Sequence, residues 1–282
     1  MATHLFPHPS FFRSSLILVS LLTLIGILGG CGTSSTAGSS HPTGSTPTST
    51  PIKELQVMIT EFPLSTPHSG PTSITAGPDG NLWFTEAVVN TNCQSGQIGR
   101  ITPAGKVSEF PLLSNSQPGR ITTGPDSNLW FSEYACAKGQ SGKIGRITPS
   151  GTISEFPLSA NTQPGDITVG PDRALWFTEP GTNTQTGTIG RITPSGTISL
   201  FPVPNRLSTV NGITAGPDNA LWFTEDTSNH AHDGTIGRIT PTGKMSEFPL
   251  PNPSAGPGSI TVGPDGKLWV TELLSNKIGR LV

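Results

Sequence analysis

Gly77-Pro78-Asp79-Gly80-Asn81-Leu82-Trp83-Phe84-Thr85-Glu86 is the stretch that decides the fold, because it recurs with small changes four more times toward the C-terminus. The copies hold all five tryptophans of the chain, spaced 47, 46, 46 and 47 residues apart. A fixed period of this length is typical of a repeat architecture. The tryptophans are Trp83, Trp130, Trp176, Trp222 and Trp269.

Each period contains four short strand-like segments bounded by Gly or Pro, termed A, B, C and D here. In the first repeat they are residues 73–76, 82–86, 97–102 and 107–110. The A-to-B and C-to-D connections are tight turns of the types Gly-Pro-Asp-Gly and Thr-Pro-x-Gly. The other two connections vary between repeats, so variation falls at one end of the sheet. Variable loops on a constant scaffold often carry binding residues, which makes this end the candidate functional face.

The repeat predicts an all-β fold, a five-bladed β-propeller with four antiparallel strands per blade. The two ends of the repeat region are incomplete. Residues 57–64 match a D strand without its partners, and residues 277–282 match a C strand without a D strand. We therefore expect residues 57–64 to complete the last blade and close the ring, which would leave no open edge and a monomer.

The first 51 residues indicate export and anchoring. Residues 1–30 resemble a lipoprotein-type signal peptide, in which Arg13 precedes an apolar run that ends at Leu28-Gly29-Gly30-Cys31. This predicts lipidation at Cys31, a Ser/Thr/Gly/Pro-rich tether over 31–51 and the propeller over 52–282. The protein would then be extracytoplasmic and held at the membrane by its lipid alone; an ordinary secretory signal is the alternative.

The net charge limits the possible binding partners, and the cysteine positions predict a disulfide. A net charge of −2 without a basic stripe argues against a nucleic-acid partner. Cys93 and Cys136 both fall in B-to-C connections, in adjacent repeats. In an oxidising compartment we expect them to form a disulfide, the alternative being two free thiols.

The elements Ile-Thr-x-Gly-Pro-Asp-Gly-x-Leu-Trp-Phe-Thr-Glu, Ile-Gly-Arg-Ile-Thr-Pro-x-Gly and Glu-Phe-Pro-Leu closely resemble the blade of the virginiamycin B lyase (streptogramin lyase) family over residues 57–282. The resemblance implies a Mg²⁺-dependent carbon–oxygen lyase that opens the lactone of streptogramin B antibiotics by elimination. It also implies a histidine base and carboxylates that hold the metal, in a propeller of seven blades rather than five.

Carried over position by position, the family histidines fall directly before the A strands, at residues that are not histidine here. Two hypotheses follow. One is a lyase acting on a cyclic depsipeptide; the other is a non-catalytic propeller that binds an envelope protein or glycan. The matching residues are Thr72, Gly119, Gly165, Asn211 and Gly258.

Candidate site residues are those where the repeat differs from copy to copy. Residues at the starts of the A strands are ligand-binding candidates, and two of them, Arg120 and Asp166, could instead pair with each other. The candidates are Arg120, Asp166, Asn211 and Ser259.

Four further residues are candidates for metal binding or catalysis. Glu272 ends the last B strand, where the resemblance implies a metal ligand, whereas the equivalent glutamates of the other repeats are predicted to be structural. His230 and His232 alternate in a connection and could bind a metal. His68 is the candidate general base, because it is the histidine nearest to the start of an A strand.

Overall fold

The structure is a computed structural model that describes residues 58–88, 95–113, 116–137, 139–181, 185–205, 208–227 and 234–282. The predicted signal peptide and tether, Cys31, Cys93, His230 and His232 lie outside these residues, and the predictions that rest on them stay predictions. Cys136 is disulfide-bonded, but its pairing with Cys93 stays a prediction for the same reason. In the described part, no helix is long and apolar enough to cross a membrane.

The described residues form five antiparallel sheets. The first contains β1 (Ser69–Ala76), β2 (Leu82–Val88), β3 (Gln97–Ile101) and β4 (Val107–Pro111). The second contains β5 (Ser116–Thr123), β6 (Leu129–Ala135), β7 (Lys143–Ile147) and β8 (Ile153–Pro157). The third contains β9 (Ile167–Val169), β10 (Leu175–Glu179), β11 (Thr188–Ile192) and β12 (Ile198–Pro202). The fourth contains β13 (Ser208–Ala215), β14 (Leu221–Thr227), β15 (Thr235–Ile239) and β16 (Met245–Pro249), and the fifth contains β17 (Pro257–Val262), β18 (Leu268–Glu272) and β19 (Lys277–Arg280).

The first four sheets run A, B, C, D in sequence order and the fifth runs A, B, C, which confirms the all-β repeat. The recurrent Gly-Pro-Asp turn does more than reverse the chain. Its Asp accepts a hydrogen bond from the indole Nε1 of the Trp four residues later, at 2.9 Å for Asp172 and Trp176. The C-strand Arg191 then bonds Asp172 at 2.6 Å and lies over the Trp176 ring. The turn therefore fixes the orientation of the tryptophan that fills the space between sheets.

Neighbouring sheets pack face to face through apolar clusters. One face of a sheet presents Trp and Ile, and the next sheet meets it with Ile, Leu and Phe. Between the second and third sheets, Trp130 and Ile144 pack against Leu175 and Phe177. Equivalent clusters join the first sheet to the second, the third to the fourth and the fourth to the fifth.

The predicted ring closure by residues 57–64 is not confirmed. The fifth sheet has three strands, residues 58–64 form no strand, and no apolar cluster of the described residues joins the fifth sheet to the first. Phe62 instead packs on the first sheet at Gly105, and the amide of Ser65 donates to Glu109 Oε1 at 2.8 Å. The D-like segment is thus held by the following sheet rather than by β19.

Candidate functional site

A recess of about 510 Å³ lies at the variable end of the sheets. Two kinds of position line it: residues at the starts of the A strands and residues directly after the glutamate that ends each B strand. All four ligand-binding candidates from the sequence are in this lining, drawn from the second to the fifth sheet. They are Arg120, Asp166, Asn211 and Ser259.

Arg120 and Asp166 do not form the ion pair that the sequence analysis weighed as the simpler interpretation of these two residues. No pair within 4.0 Å joins them among the ion pairs of the described residues. Asp166 Oδ2 accepts the amide of Ile213 in the next sheet at 3.1 Å, and Oδ1 accepts that of Ile167 at 3.1 Å. Burial raises the pKa of Asp166, although the charge of Arg120 acts in the opposite direction. Asp166 therefore has a structural role between sheets, and Arg120 remains available to a ligand.

Asn211 and Ser259 are held by neighbouring backbone. Asn211 Nδ2 donates to the carbonyl of Pro257 at 3.3 Å. The Ser259 amide donates to Thr271 Oγ1 at 2.9 Å, which leaves its side chain exposed in the recess. Both residues present polar groups on a backbone whose position is fixed by the sheets.

Tyr134 and Asp226 also line the recess, and the sequence analysis did not select them. Tyr134 follows Glu133, and Asp226 follows Glu225. The position after the B-strand glutamate differs in every repeat, which is the signal that could have identified both. Burial raises the pKa of Tyr134, so the phenol stays neutral and can donate a hydrogen bond at neutral pH.

The B-strand glutamates are buried inside the sheets and do not line the recess. Burial raises the pKa of Glu133, Glu179 and Glu225 to about 7. Each keeps one oxygen, Oε1, without a hydrogen-bond partner, as does Glu86. The other oxygen of Glu133 accepts from Ser116 Oγ at 2.7 Å. The carboxyls of Glu86, Glu133 and Glu225 pack against the glycine of the Ile-Gly-Arg strand and form part of the scaffold.

The predicted metal and base residues do not converge in the described structure. Glu272 Oε2 accepts from Ser275 Oγ at 2.7 Å and faces a separate shallow pocket beside Lys277. His68 is exposed and does not line the recess. No three His, Cys, Asp or Glu side chains of the described residues are grouped to hold a metal ion. The described residues therefore do not assemble the Mg²⁺ site that the resemblance implied, and Mg²⁺ binding stays a prediction.

Comparison with known proteins places the chain in a family. A family model described as the virginiamycin B lyase family matches residues 57–282. The chain belongs to the virginiamycin B lyase family. Among curated members, virginiamycin B lyase of Bordetella pertussis is 46% identical over 57 residues, which cover 20% of this chain and 17% of that protein. The chain therefore aligns with less than a fifth of that relative's length.

Two solved structures of the Staphylococcus aureus virginiamycin B lyase are also similar. The selenomethionine-substituted enzyme is 43% identical with a TM-score of 0.66, over 80% of this chain and 71% of that one. A catalytically inactive histidine-to-alanine variant, crystallised with quinupristin, is 36% identical with a TM-score of 0.59, over 79% of this chain and 84% of that one. Both support a propeller-like fold for this family member.

Two of the positions where the family resemblance implies histidines are glycines in tight packing, Gly119 and Gly165. A Cβ at Gly119 would lie 2.5 Å from the Tyr134 ring and 2.8 Å from Ser132 Oγ. A Cβ at Gly165 would lie 2.6 Å from Thr178 Oγ1. At Thr72 the side chain is hydrogen-bonded to Thr85 at 2.9 Å. In this virginiamycin B lyase family member, the polar side chains that the described residues place in the recess are those of Arg, Tyr, Asp, Asn and Ser.

Proposed function

We propose that this family member binds a cyclic depsipeptide of the streptogramin B class in the recess, outside the cell and on a lipid anchor at Cys31, without opening the lactone. The observation that carries the proposal is the composition of the lining. It combines Arg120, Tyr134 and Asp226, each at a position that varies between repeats, with the apolar side chains of Leu273 and Leu274.

The lining suits a large, mostly uncharged ring with many carbonyl groups. Arg120 offers several N–H donors in a fixed plane, and the neutral Tyr134 adds a further donor. Leu273 and Leu274 are exposed and provide apolar surface for aliphatic or aromatic side chains of the ligand. Asp226 would accept a hydrogen bond from a ligand amide.

Elimination needs a base that takes a proton from the carbon adjacent to the one that carries the ester oxygen, so that a double bond forms as the carbon–oxygen bond breaks and the carboxylate leaves. Among the described residues no histidine lines the recess, and both oxygens of Asp166 already accept backbone amides. Family membership favours lactone opening as the second candidate function. In this recess Asp226 is the carboxylate that could then act as the base.

Calorimetric titration of the purified chain with quinupristin, with and without Mg²⁺, tests the proposal. We expect saturable binding in both conditions and an intact lactone after long incubation. The lactone must be followed by chromatography and fragment masses, because elimination leaves the total mass unchanged. Ring-opened product, with or without Mg²⁺, would establish the lyase, and absence of binding in both conditions would reject the recess as a depsipeptide site.

A matched pair of variants locates the binding site. Arg120→Ala should weaken quinupristin binding at least about ten-fold, the usual effect of losing a charged hydrogen-bond donor. Arg173→Ala removes the same charge from an exposed turn residue that does not line the recess, and it should leave the affinity unchanged. Equal effects of the two substitutions would show that the affinity for quinupristin depends on the net charge of the protein and not on a contact with Arg120.

A further inference from the structure

The first and fifth sheets each leave a face uncovered. On the first sheet, Ile74 is 62% exposed and Leu82 is 45% exposed. Their equivalents in the second sheet, Ile121 and Leu129, are buried against the sheet before them. Ile74 and Leu82 therefore belong to the face that receives a preceding sheet.

The fifth sheet leaves uncovered the face that in the other sheets contacts the following sheet. Ile278 in β19 is 62% exposed, whereas its equivalents in the four other sheets are at most 1% exposed. Those residues pack against the following sheet. The exposed faces of the first and fifth sheets are thus the two halves of the contact that the chain makes four times internally. The buried equivalents are Ile98, Ile144, Ile189 and Ile236.

The strand missing from the fifth sheet is already held at the first one. Phe62 contacts Gly105 as Phe110 contacts Gly151 in the next sheet. The amide of Ser65 donates to Glu109 at 2.8 Å, as the amide of Leu113 donates to Glu155 at 3.1 Å. Residues 58–64 therefore lie where the D strand of a preceding sheet would lie. In the described structure, their backbone edge that would face a C strand pairs with no strand.

We propose that the exposed first sheet and residues 58–64 of one copy of this chain receive the fifth sheet of a second copy. Residues 58–64 would pair with β19 of the neighbour as its fourth strand, and Ile278 of the neighbour would pack on Ile74 and Leu82. The contact is head to tail, so copies add in sequence or close into a ring. It replaces the monomer expected from the sequence, because the two surfaces do not meet within the described part of one chain.

The internal sheets give the register of the new pair. In the first sheet, Ile98 pairs with Phe110 and Arg100 with Ser108. By equivalence, Ile278 pairs with Phe62, and Arg280 pairs with Thr60. Pairing would cover the free edge of β19, which otherwise exposes unpaired backbone groups.

Cross-linking between separately made variants tests this register. Thr60→Cys and Arg280→Cys are placed in two preparations of the full chain, each also carrying Cys31→Ser, then mixed and oxidised mildly. We expect a disulfide-linked heterodimer to be the main product. Arg191→Cys, the same position in the covered third sheet, should give no such product with Thr60→Cys. Failure of Thr60→Cys to cross-link preferentially with Arg280→Cys would overturn the proposal.

The double variant Thr60→Cys/Arg280→Cys separates the second copy from closure by the same chain. Disulfide-linked ladders on a non-reducing gel support the contact between copies. A cross-linked monomer as the main product would mean that the chain closes on itself, and it would overturn the proposal.

Sedimentation velocity provides an independent measurement. Ile278→Glu should weaken self-association at least about ten-fold, because a charge enters an apolar contact. Leu200→Glu introduces the same charge on an exposed outer position of the third sheet and should leave association unchanged. A wild-type chain that stays monomeric at all concentrations tested would contradict the proposal.

Discussion

The inner sheets and the two end sheets have nearly the same sequence but different surroundings. The third sheet is covered on both faces, and its Trp176 and Ile189 are fully buried. In the fifth sheet, the equivalent Trp269 is half-buried and Ile278 is exposed. A residue of the repeat therefore contributes to stability only when a neighbouring sheet covers it. Matched substitutions in inner and end sheets measure that contribution directly.

The largest expected difference concerns the tryptophans. Trp176→Ala should lower the free energy of unfolding by about 3–5 kcal/mol, because it removes a buried ring that stacks on Phe201 at 5.7 Å. Trp269→Ala should cost clearly less, since the described part of the fifth sheet has no D strand to stack on it. Urea unfolding of both variants at low protein concentration measures the two values. Equal costs would show that the fifth sheet is covered in solution.

The sequence predicted the strands and turns well, since Gly-Pro-Asp-Gly and the Trp period are local patterns. It did not predict the bond from Asp172 to Trp176, which depends on the turn and the strand coming together. The position of Phe62 shows a further limit. Its segment has the pattern of a D strand, but the pattern does not say which C strand is within reach. Tyr134 and Asp226 were missed because each occurs once and matches no motif.

Buried carboxyls make the inner sheets sensitive to pH. Burial raises the pKa of Glu133, Glu179 and Glu225 to about 7 in the folded protein, above the usual 4.5 of a glutamate. Their stabilising contribution is therefore complete below pH 4.5 and is lost as the pH rises to about 7. Each should account for about 1–3 kcal/mol of that loss. Urea unfolding between pH 4.5 and 8 should show stability falling with pH.

Glu179→Gln supplies the control for this pH dependence. The amide has nearly the same shape but does not titrate. The decrease in the free energy of unfolding between pH 4.5 and 8 should therefore become smaller by the amount that one carboxyl contributes. Glu61→Gln replaces an exposed carboxylate that does not act on Glu133, Glu179 or Glu225, and it should leave the slope nearly unchanged. An unaltered slope in Glu179→Gln would contradict the assignment of that pKa.

Glycines of the Ile-Gly-Arg strands provide a smaller contrast. A Cβ at Gly145 would lie 2.2 Å from the Phe131 ring and 2.5 Å from Glu133 Oε1, so Gly145→Ala should cost about 1–3 kcal/mol. At Gly279 the nearest atoms would be 2.8 Å away, and the edge strand β19 can move outward. Gly279→Ala should therefore cost less. Thermal and urea unfolding measure the difference, and a larger cost at Gly279 would argue against a free edge.

The smallest expected effect tests one hydrogen bond between sheets. Thr178 Oγ1 donates to the carbonyl of Asn211 in the next sheet at 2.9 Å, whereas Thr271 Oγ1 reaches only Ser259 of its own sheet, at 3.4 Å. Thr178→Val should cost about 1 kcal/mol, and Thr271→Val should cost less. No sheet follows Thr271 in the described structure. If a second copy supplies such a sheet, the cost of Thr271→Val should rise with protein concentration. A cost at Thr271 that equals that at Thr178 at every concentration would instead place a sheet of the same chain beside it.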